Sequence, residues 1–441
     1  MILDNNTPSS STPSLSEMDL EEMDELSNED IEEIIDVNTT LDIAAVNNLT
    51  SIVHPSDPAS SVKEDPLAVC VFTGHCTVGG LNASVFCCCL SRNGELAATG
   101  GDQNLAFTWN TTTGGTNLTC SDHLDSIVFV EFNHNDTYLV TCDISGIIQL
   151  WQLSNNIRCW RTEISDLQWA KWHPSANVFL ASDQTGQIYM WKLPQGQCKI
   201  FHGTGSPVNC GAIFPDGKFL AVGHMDGTIR VIHLKDGTVS ATIPISQGHN
   251  KLVTAIDCYI KYNLIISVAI DGRTILSTAH NGKVICVLQD LSSTVVPAES
   301  CKQTQEDEDT IDEDTIDESA HNENWAETVA FCKDPLLPLA ATGTVNGEIF
   351  IYDILKQVLR HKVDVNMGGL VTKILWKGDT SIFFASGSAV ARCIDGKTGN
   401  CLQTFKGHND DVLDLHISQN GERLLTVSDD TLAIVYDISS I

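Results

Sequence analysis

Apolar residues along this chain come in short runs of four to six, separated by clusters of Gly, Asn, Asp and Ser, and one phrase built from them keeps returning. It opens with small side chains, crosses a tight turn and closes an apolar strand, as in Val222-Gly223-His224-Met225-Asp226-Gly227-Thr228-Ile229-Arg230-Val231-Ile232. The closing position falls at Trp109, Trp151, Trp191, Ile232, Tyr352, Ile394 and Tyr436, with spacings of 42, 40, 41, 120, 42 and 42 residues. Runs of this length bounded by turn residues read as strands, and helix periodicity is absent from the repeating region.

The gap of 120 hides one more repeat, since Ala269-Ile270-Asp271-Gly272-Arg273-Thr274-Ile275-Leu276-Ser277 has the same turn and strand, with Ser277 in the aromatic position. The gap then divides into 45 and 75, and the 75 is one repeat plus a surplus of roughly 33 residues. That surplus fits an insertion at about 291–324, where no strand pattern exists. Eight repeats of about 40–45 residues with this phrase carry the signature of WD40 blades in a β-propeller. The fold expected is all-β, a single eight-bladed WD40 β-propeller.

Gly146, Gly186, Gly227, Gly272 and Gly347 each stand five residues before the aromatic position. Primed two-residue turns need positive φ, which predicts such hairpins at Asp226-Gly227, Asp271-Gly272 and Asn346-Gly347. Asn93-Gly94, Asp216-Gly217 and Asn420-Gly421 mark the preceding hairpin of their blades. The last repeat ends at Tyr436-Asp437-Ile438 without a fourth strand, whereas Leu67-Ala68-Val69-Cys70-Val71-Phe72 resembles the outer strand Cys401-Leu402-Gln403-Thr404-Phe405. The N-terminal strand is therefore expected to complete the last blade and close the ring, removing two free edges.

At 441 residues the chain is long for one core, but a propeller grows by adding blades. The organisation expected is a disordered acidic tail over 1–65 and a propeller over 66–441. The tail starts Ser/Thr/Pro/Asn-rich and becomes acidic, with Leu20, Met23, Leu26, Ile31, Ile34 and Ile35 as candidate partner anchors or simply parts of a solvated segment. Met1-Ile2-Leu3-Asp4 runs into polar residues, so no signal peptide is expected. With 16 cysteines and no Cys-x-x-Cys pair, reduced, mostly buried thiols in a cytoplasmic protein fit better than disulfides or zinc. Nuclear or peripheral membrane placement remains an alternative. The apolar runs are strand-sized, which excludes a membrane-spanning helix.

The formal charge is −32, much of it local. Eleven acids and no cation lie between Glu17 and Asp36, and nine more acids lie between Glu306 and Glu318, within a tandem pentapeptide. Subtracting these 20 leaves −12 for the remainder. Direct nucleic-acid binding is disfavoured, and a basic protein is the partner that the charge suits. A monomer is expected, with no cofactor.

No nucleophile elbow, phosphate loop or His-Glu-x-x-His motif is present. His75, His249 and His408 each follow a Gly ahead of a blade's first strand, a structural position in WD40 repeats, and only the eighth blade is expected to keep both the His and a turn acid, Asp430. The Trp169/Trp172 pair reads as blade core rather than as an aromatic binding box. The better candidate is a face. In a propeller, the loop into each first strand and the middle hairpin turn open on one side. There the sequence places Asp125, Asp143, Asp166, Asp183, Asp226, Asp271, Glu327, Asp411 and Asp429 as partner-binding candidates. Asp102, Asp122, Asp410 and Asp430 join them, with Lys251 nearly alone as a cation.

Asp166-Leu167-Gln168-Trp169, Trp172-His173-Pro174, Met190-Trp191-Lys192, Gly196-Gln197-Cys198-Lys199, Cys210-Gly211 and Pro215-Asp216-Gly217-Lys218, in this order and spacing, resemble the angio-associated migratory cell protein family. Glu32-Glu33-Ile34-Ile35-Asp36-Val37 resembles its acidic leader. Departures include Ile232-His233 and Ser277 in place of the Trp-Asp exit, and a shortened turn at Gly387-Ser388-Ala389. The resemblance implies two roles. Its fungal relative is a chaperone for a basic large-subunit ribosomal protein, while animal members are linked to cell migration and angiogenesis. The expectation is therefore a non-enzymatic chaperone or platform with an acidic face, the alternative being a cytoplasmic signalling scaffold.

Overall fold

The computed structural model describes residues 65–75, 83–259, 261, 263–292, 324–364 and 367–441, all within the compact unit Ser60–Ile441. Residues 1–64, which hold nearly all of the expected tail, and the pentapeptide repeat lie outside the described residues. The described strands form eight antiparallel four-stranded sheets. The first strands of blades one to eight are Val85–Leu90, Ile127–Phe132, Trp169–Trp172, Val208–Ile213, Val253–Tyr259, Ala326–Phe331, Ile374–Trp376 and Val412–Ile417. Each packs against the first strand of the next blade, and the eighth packs against the first. The chain is an eight-bladed propeller.

Strand Ala68–Phe72 pairs antiparallel with the last strand, Ala433–Asp437, with Phe72 opposite Ala433 and Ala68 opposite Tyr436. The N-terminal strand thus closes the ring as expected. Phe72 also stacks on Trp109 of the first blade, with ring centroids 4.6 Å apart and planes 4° from parallel. Just before this strand, the Asp65 carboxylate accepts hydrogen bonds from Leu67 N and Lys406 N, both at 2.9 Å. The closure therefore ties together blades seven, eight and one.

Between blades, the aromatic positions are buried: Trp109, Tyr352, Ile394 and Tyr436 are at most 1% exposed. Burying such side chains contributes about 1.5–3 kcal/mol each, which is the main force between sheets that share few backbone bonds. Polar staples supplement it near the axis. Glu131 accepts Trp172 N (3.2 Å) and Lys171 Nζ (2.6 Å), and Asp414 accepts Cys88 N (3.0 Å) and Lys373 Nζ (2.6 Å). Asp257 accepts Phe331 N at 2.8 Å in the same manner. Six of the eight first strands carry a bulge after their first residue, which adds twist where strands converge on the axis.

The turns before the aromatic position differ from the primed type. Gly227 N donates to His224 O, Gly272 N to Ala269 O and Gly347 N to Thr344 O. In each turn the glycine has positive φ, while Asp226, Asp271 and Asn346 do not. A primed turn needs positive φ at its first central residue, and type I′ at both. These longer turns place only their last residue in the left-handed region, where the glycine ends the turn. The insertion leaves and rejoins the fold beside the Gly272 turn: Leu291 N donates to Gly272 O, and Ser292 N and Asn324 O lie 2.9 and 3.3 Å from where a Cβ on Gly272 would stand. Its interior lies outside the described residues.

Candidate protein-binding face

The loops into the first strands and the middle turns do meet on one side of the ring. Ser126 Oγ donates to Asp102 Oδ1 (3.1 Å), Ile144 N to Ser126 O (3.0 Å), Leu167 N to Ile144 O (3.1 Å), Asp226 N to Ser206 Oγ (3.1 Å) and Asp429 N to Asp411 O (3.2 Å). These bonds join a loop to a turn, so loop and turn residues present a common surface.

The acids on this side fall into three groups. Asp102, Asp122, Asp125, Asp166, Asp226 and Asp410 are exposed; Glu327, Asp411, Asp429 and Asp430 are half-buried; Asp143, Asp183 and Asp271 are buried. The buried three are turn builders. Asp183 accepts from Thr185, from Gln187 N and from the Tyr189 hydroxyl at 3.0 Å. Asp271 accepts from His249 Nδ1 (3.1 Å) and Arg273 (2.7 Å). Asp143 accepts from His123 Nδ1 (3.1 Å), Leu124 N (3.1 Å), Ser145 Oγ (2.7 Å) and Ile147 N (2.9 Å). Among the described residues the exposed acids have one strong cation partner, Arg158 on Asp122 at 2.8 Å. Glu327 accepts from Trp325 Nε1 at 3.1 Å.

The histidine networks are better preserved than the sequence indicated. Blade two holds a complete one: Trp151 Nε1 donates to Thr141 Oγ1 (3.0 Å), the Thr141 hydroxyl lies 2.8 Å from His123 Nε2, and His123 Nδ1 lies 3.1 Å from Asp143. Blade five holds His249, Asp271 and Ser267, and blade eight holds His408, Asp430 and Thr426. Among the described residues, the eighth blade is therefore one of three with a His paired to a turn acid. His123 lacks the Gly-His signal, since Asp122 precedes it, and its acid stands two residues after Thr141, whereas Asp271 and Asp430 stand four after Ser267 and Thr426. In blade one, Gly101 occupies the two-residue offset, and a Cβ there would lie 2.1 Å from Ser84 O, so no acid fits.

Burial alone would raise the Asp143 carboxyl, but the hydrogen bonds from His123, Ser145, Ile147 and Leu124 outweigh it and hold it at about 2. Asp271 and Asp430 are depressed in the same way, with their histidines the leading opposition to burial. His75, with no acid beside it, is pushed down to about 4 by burial. The networks of His123, His249 and His408 have both ring nitrogens partnered and are structural, while His75 Nδ1 is buried with no hydrogen-bond partner among the described residues. Among the described residues, no group of three or more His, Cys, Asp or Glu could hold a metal. Burial raises the Cys89 thiol to about 12 and Cys120 and Cys142 likewise upward, making them poor nucleophiles. Trp172 is blade core, 4% exposed, and its Nε1 donates to Glu131 O; Trp169 is half-buried and packs where Gly211 leaves room.

Models of the "WD domain, G-beta repeat" match residues 67–110, 114–152 and 399–437, and the "Anaphase-promoting complex subunit 4 WD40 domain" model matches 170–263. The human angio-associated migratory cell protein is 34% identical over 357 residues, covering 80% of this chain and 78% of the relative. The chain belongs to the angio-associated migratory cell protein family. The "Ribosome assembly protein SQT1" of Saccharomyces cerevisiae is 22% identical over 396 residues, covering 80% of this chain and 84% of that protein. In fold, the chain is similar to a crystal structure of Chaetomium thermophilum Sqt1 bound to the N-terminus of the ribosomal protein L10. The TM-score is 0.68 at 18% identity, covering 84% of this chain and 99% of the other.

Proposed function

We propose that this propeller is a non-enzymatic chaperone that captures a basic segment of a large-subunit ribosomal protein on its acidic face and shields that charge until assembly. One observation carries the reading: Asp102, Asp125, Asp166, Asp226 and Asp410 are exposed on one side of the ring, with no Lys or Arg in ion-pair contact among the described residues. Carboxylates left unpaired on a rigid rim cost little reorganisation when cations arrive, and they raise the encounter rate of a Lys/Arg-rich chain by about 10–1,000-fold at low salt. Support also comes from the fungal relative whose name describes ribosome assembly, and from a fold neighbour holding the N-terminus of L10.

Charge reversal of Asp125, Asp166 and Asp411 to Lys in one variant tests the reading. Affinity for co-purified basic ribosomal protein should fall by at least about tenfold at low salt, and its dependence on salt should flatten. Unchanged affinity at low salt would refute it. Purification of the tagged wild type from translating cells supplies the partner's identity, and enrichment of one basic ribosomal nascent chain is expected.

A further inference from the structure

The acidic face is not uniformly polar. In blade two, Leu124 is 70% exposed and Ile144 is 48% exposed. Both are held rather than loose. Leu124 N donates to Asp143 Oδ2 (3.1 Å) and Leu124 O accepts from Asn104 Nδ2 (3.1 Å), while Ile144 N donates to Ser126 O (3.0 Å) and Ile144 O accepts from Leu167 N (3.1 Å). Asp143 joins the two residues, since its carboxylate binds the Leu124 amide and its own backbone continues into Ile144.

The surrounding acids are fixed by the same bonds. Asp125 follows Leu124, Asp102 is tied to the pair through Ser126 Oγ, and Asp166 precedes Leu167, whose amide holds Ile144. All three are exposed. Two exposed apolar residues on a hydrogen-bonded backbone with carboxylates beside them are poorly matched to a purely cationic chain, because desolvating Leu124 and Ile144 against ammonium groups gains nothing. They match an apolar side chain with cations before and after it, which removes apolar area from water and pairs the rim charges together.

We propose that Leu124 and Ile144 form an apolar anchor point within the acidic face, receiving a bulky aliphatic or aromatic side chain flanked by Lys or Arg in the bound segment. The inference rests on the acidic face being the binding surface and adds the sequence class that it selects. Specificity then comes from the interruption of basic residues by an apolar one, while net charge sets the encounter rate.

The test uses the full-length protein and two labelled peptides, one of Lys, Arg, Gly and Ser and the other identical except that two serines are leucines. Anisotropy titrations at low and physiological salt compare wild type with the L124S/I144S double variant, whose urea midpoint should match wild type because both side chains are solvent-exposed. Wild type should bind the leucine peptide about tenfold more tightly, and the double variant should bind both peptides alike with its salt dependence retained. Equal binding of the two peptides by wild type, or discrimination that survives in the double variant, overturns the anchor while leaving the acidic face in place. Failure of wild type to bind either peptide at low salt overturns both.

Discussion

Asp143 offers the sharpest test of how the face is held. Replacing it by Ala removes the acceptor for four donors: His123 Nδ1, Leu124 N, Ser145 Oγ and Ile147 N. Ser145 and Leu124 lie near solvent and can turn to water, but His123 and Ile147 are buried and keep unsatisfied N–H groups. At about 1–3 kcal/mol for each orphaned buried donor, the loss should be about 2–6 kcal/mol, a large part of a typical stability of about 5–15 kcal/mol. Urea unfolding followed by tryptophan fluorescence and far-UV circular dichroism measures it. A double-mutant cycle with His123→Ala should show a coupling above about 1 kcal/mol, since the two side chains share one network. The pH dependence gives an independent reading. The carboxyl lies at about 2 in the fold against 3.8 in an unconstrained chain. A depressed carboxyl contributes stability that is present above 3.8 and lost as pH falls towards about 2. With about 1.4 kcal/mol per unit, the wild type should lose about 2 kcal/mol across that window that D143A does not lose. A cost below about 1 kcal/mol for D143A, or a cycle additive within about 0.5 kcal/mol, would refute the reasoning.

Two further outcomes are expected. Gly146→Ala places a Cβ 2.0 Å from Ile164 O at φ 97°, whereas Gly205→Ala at φ 89° meets no atom within 4 Å. The first should cost about 2–4 kcal/mol and the second about 1 kcal/mol by thermal unfolding, separating steric conflict from backbone strain. Ser277 occupies the aromatic position of blade five with a buried Oγ that has no hydrogen-bond partner among the described residues. Ser277→Ala should therefore hold or raise the urea midpoint, while Ser267→Ala, which deprives His249 of a 2.9 Å contact, should lower it by about 1 kcal/mol.

The sequence alone determined the repeating architecture, because its signals are local and periodic. A strand of four to six residues, a glycine in a left-handed turn and a large apolar residue at a fixed offset are each dictated by neighbours in the chain. Eight blades and the outer strand Ala68–Phe72 therefore followed from spacing, even where Ile232, Ser277 and Ile394 replaced the tryptophan. Loop order in a blade also fixes which turns share a face, and so which acids the sequence assigns to one side. It did not separate Asp125 and Asp166, which are exposed, from Asp143, Asp183 and Asp271, which are buried. Nor did it place His123 beside an acid 20 residues away, or leave Leu124 and Ile144 facing water. Within a strand, alternation sets which side chains point inwards. In a turn, direction is set by the hydrogen bonds that a neighbouring loop happens to offer, and those partners come together only when the tertiary structure closes the ring.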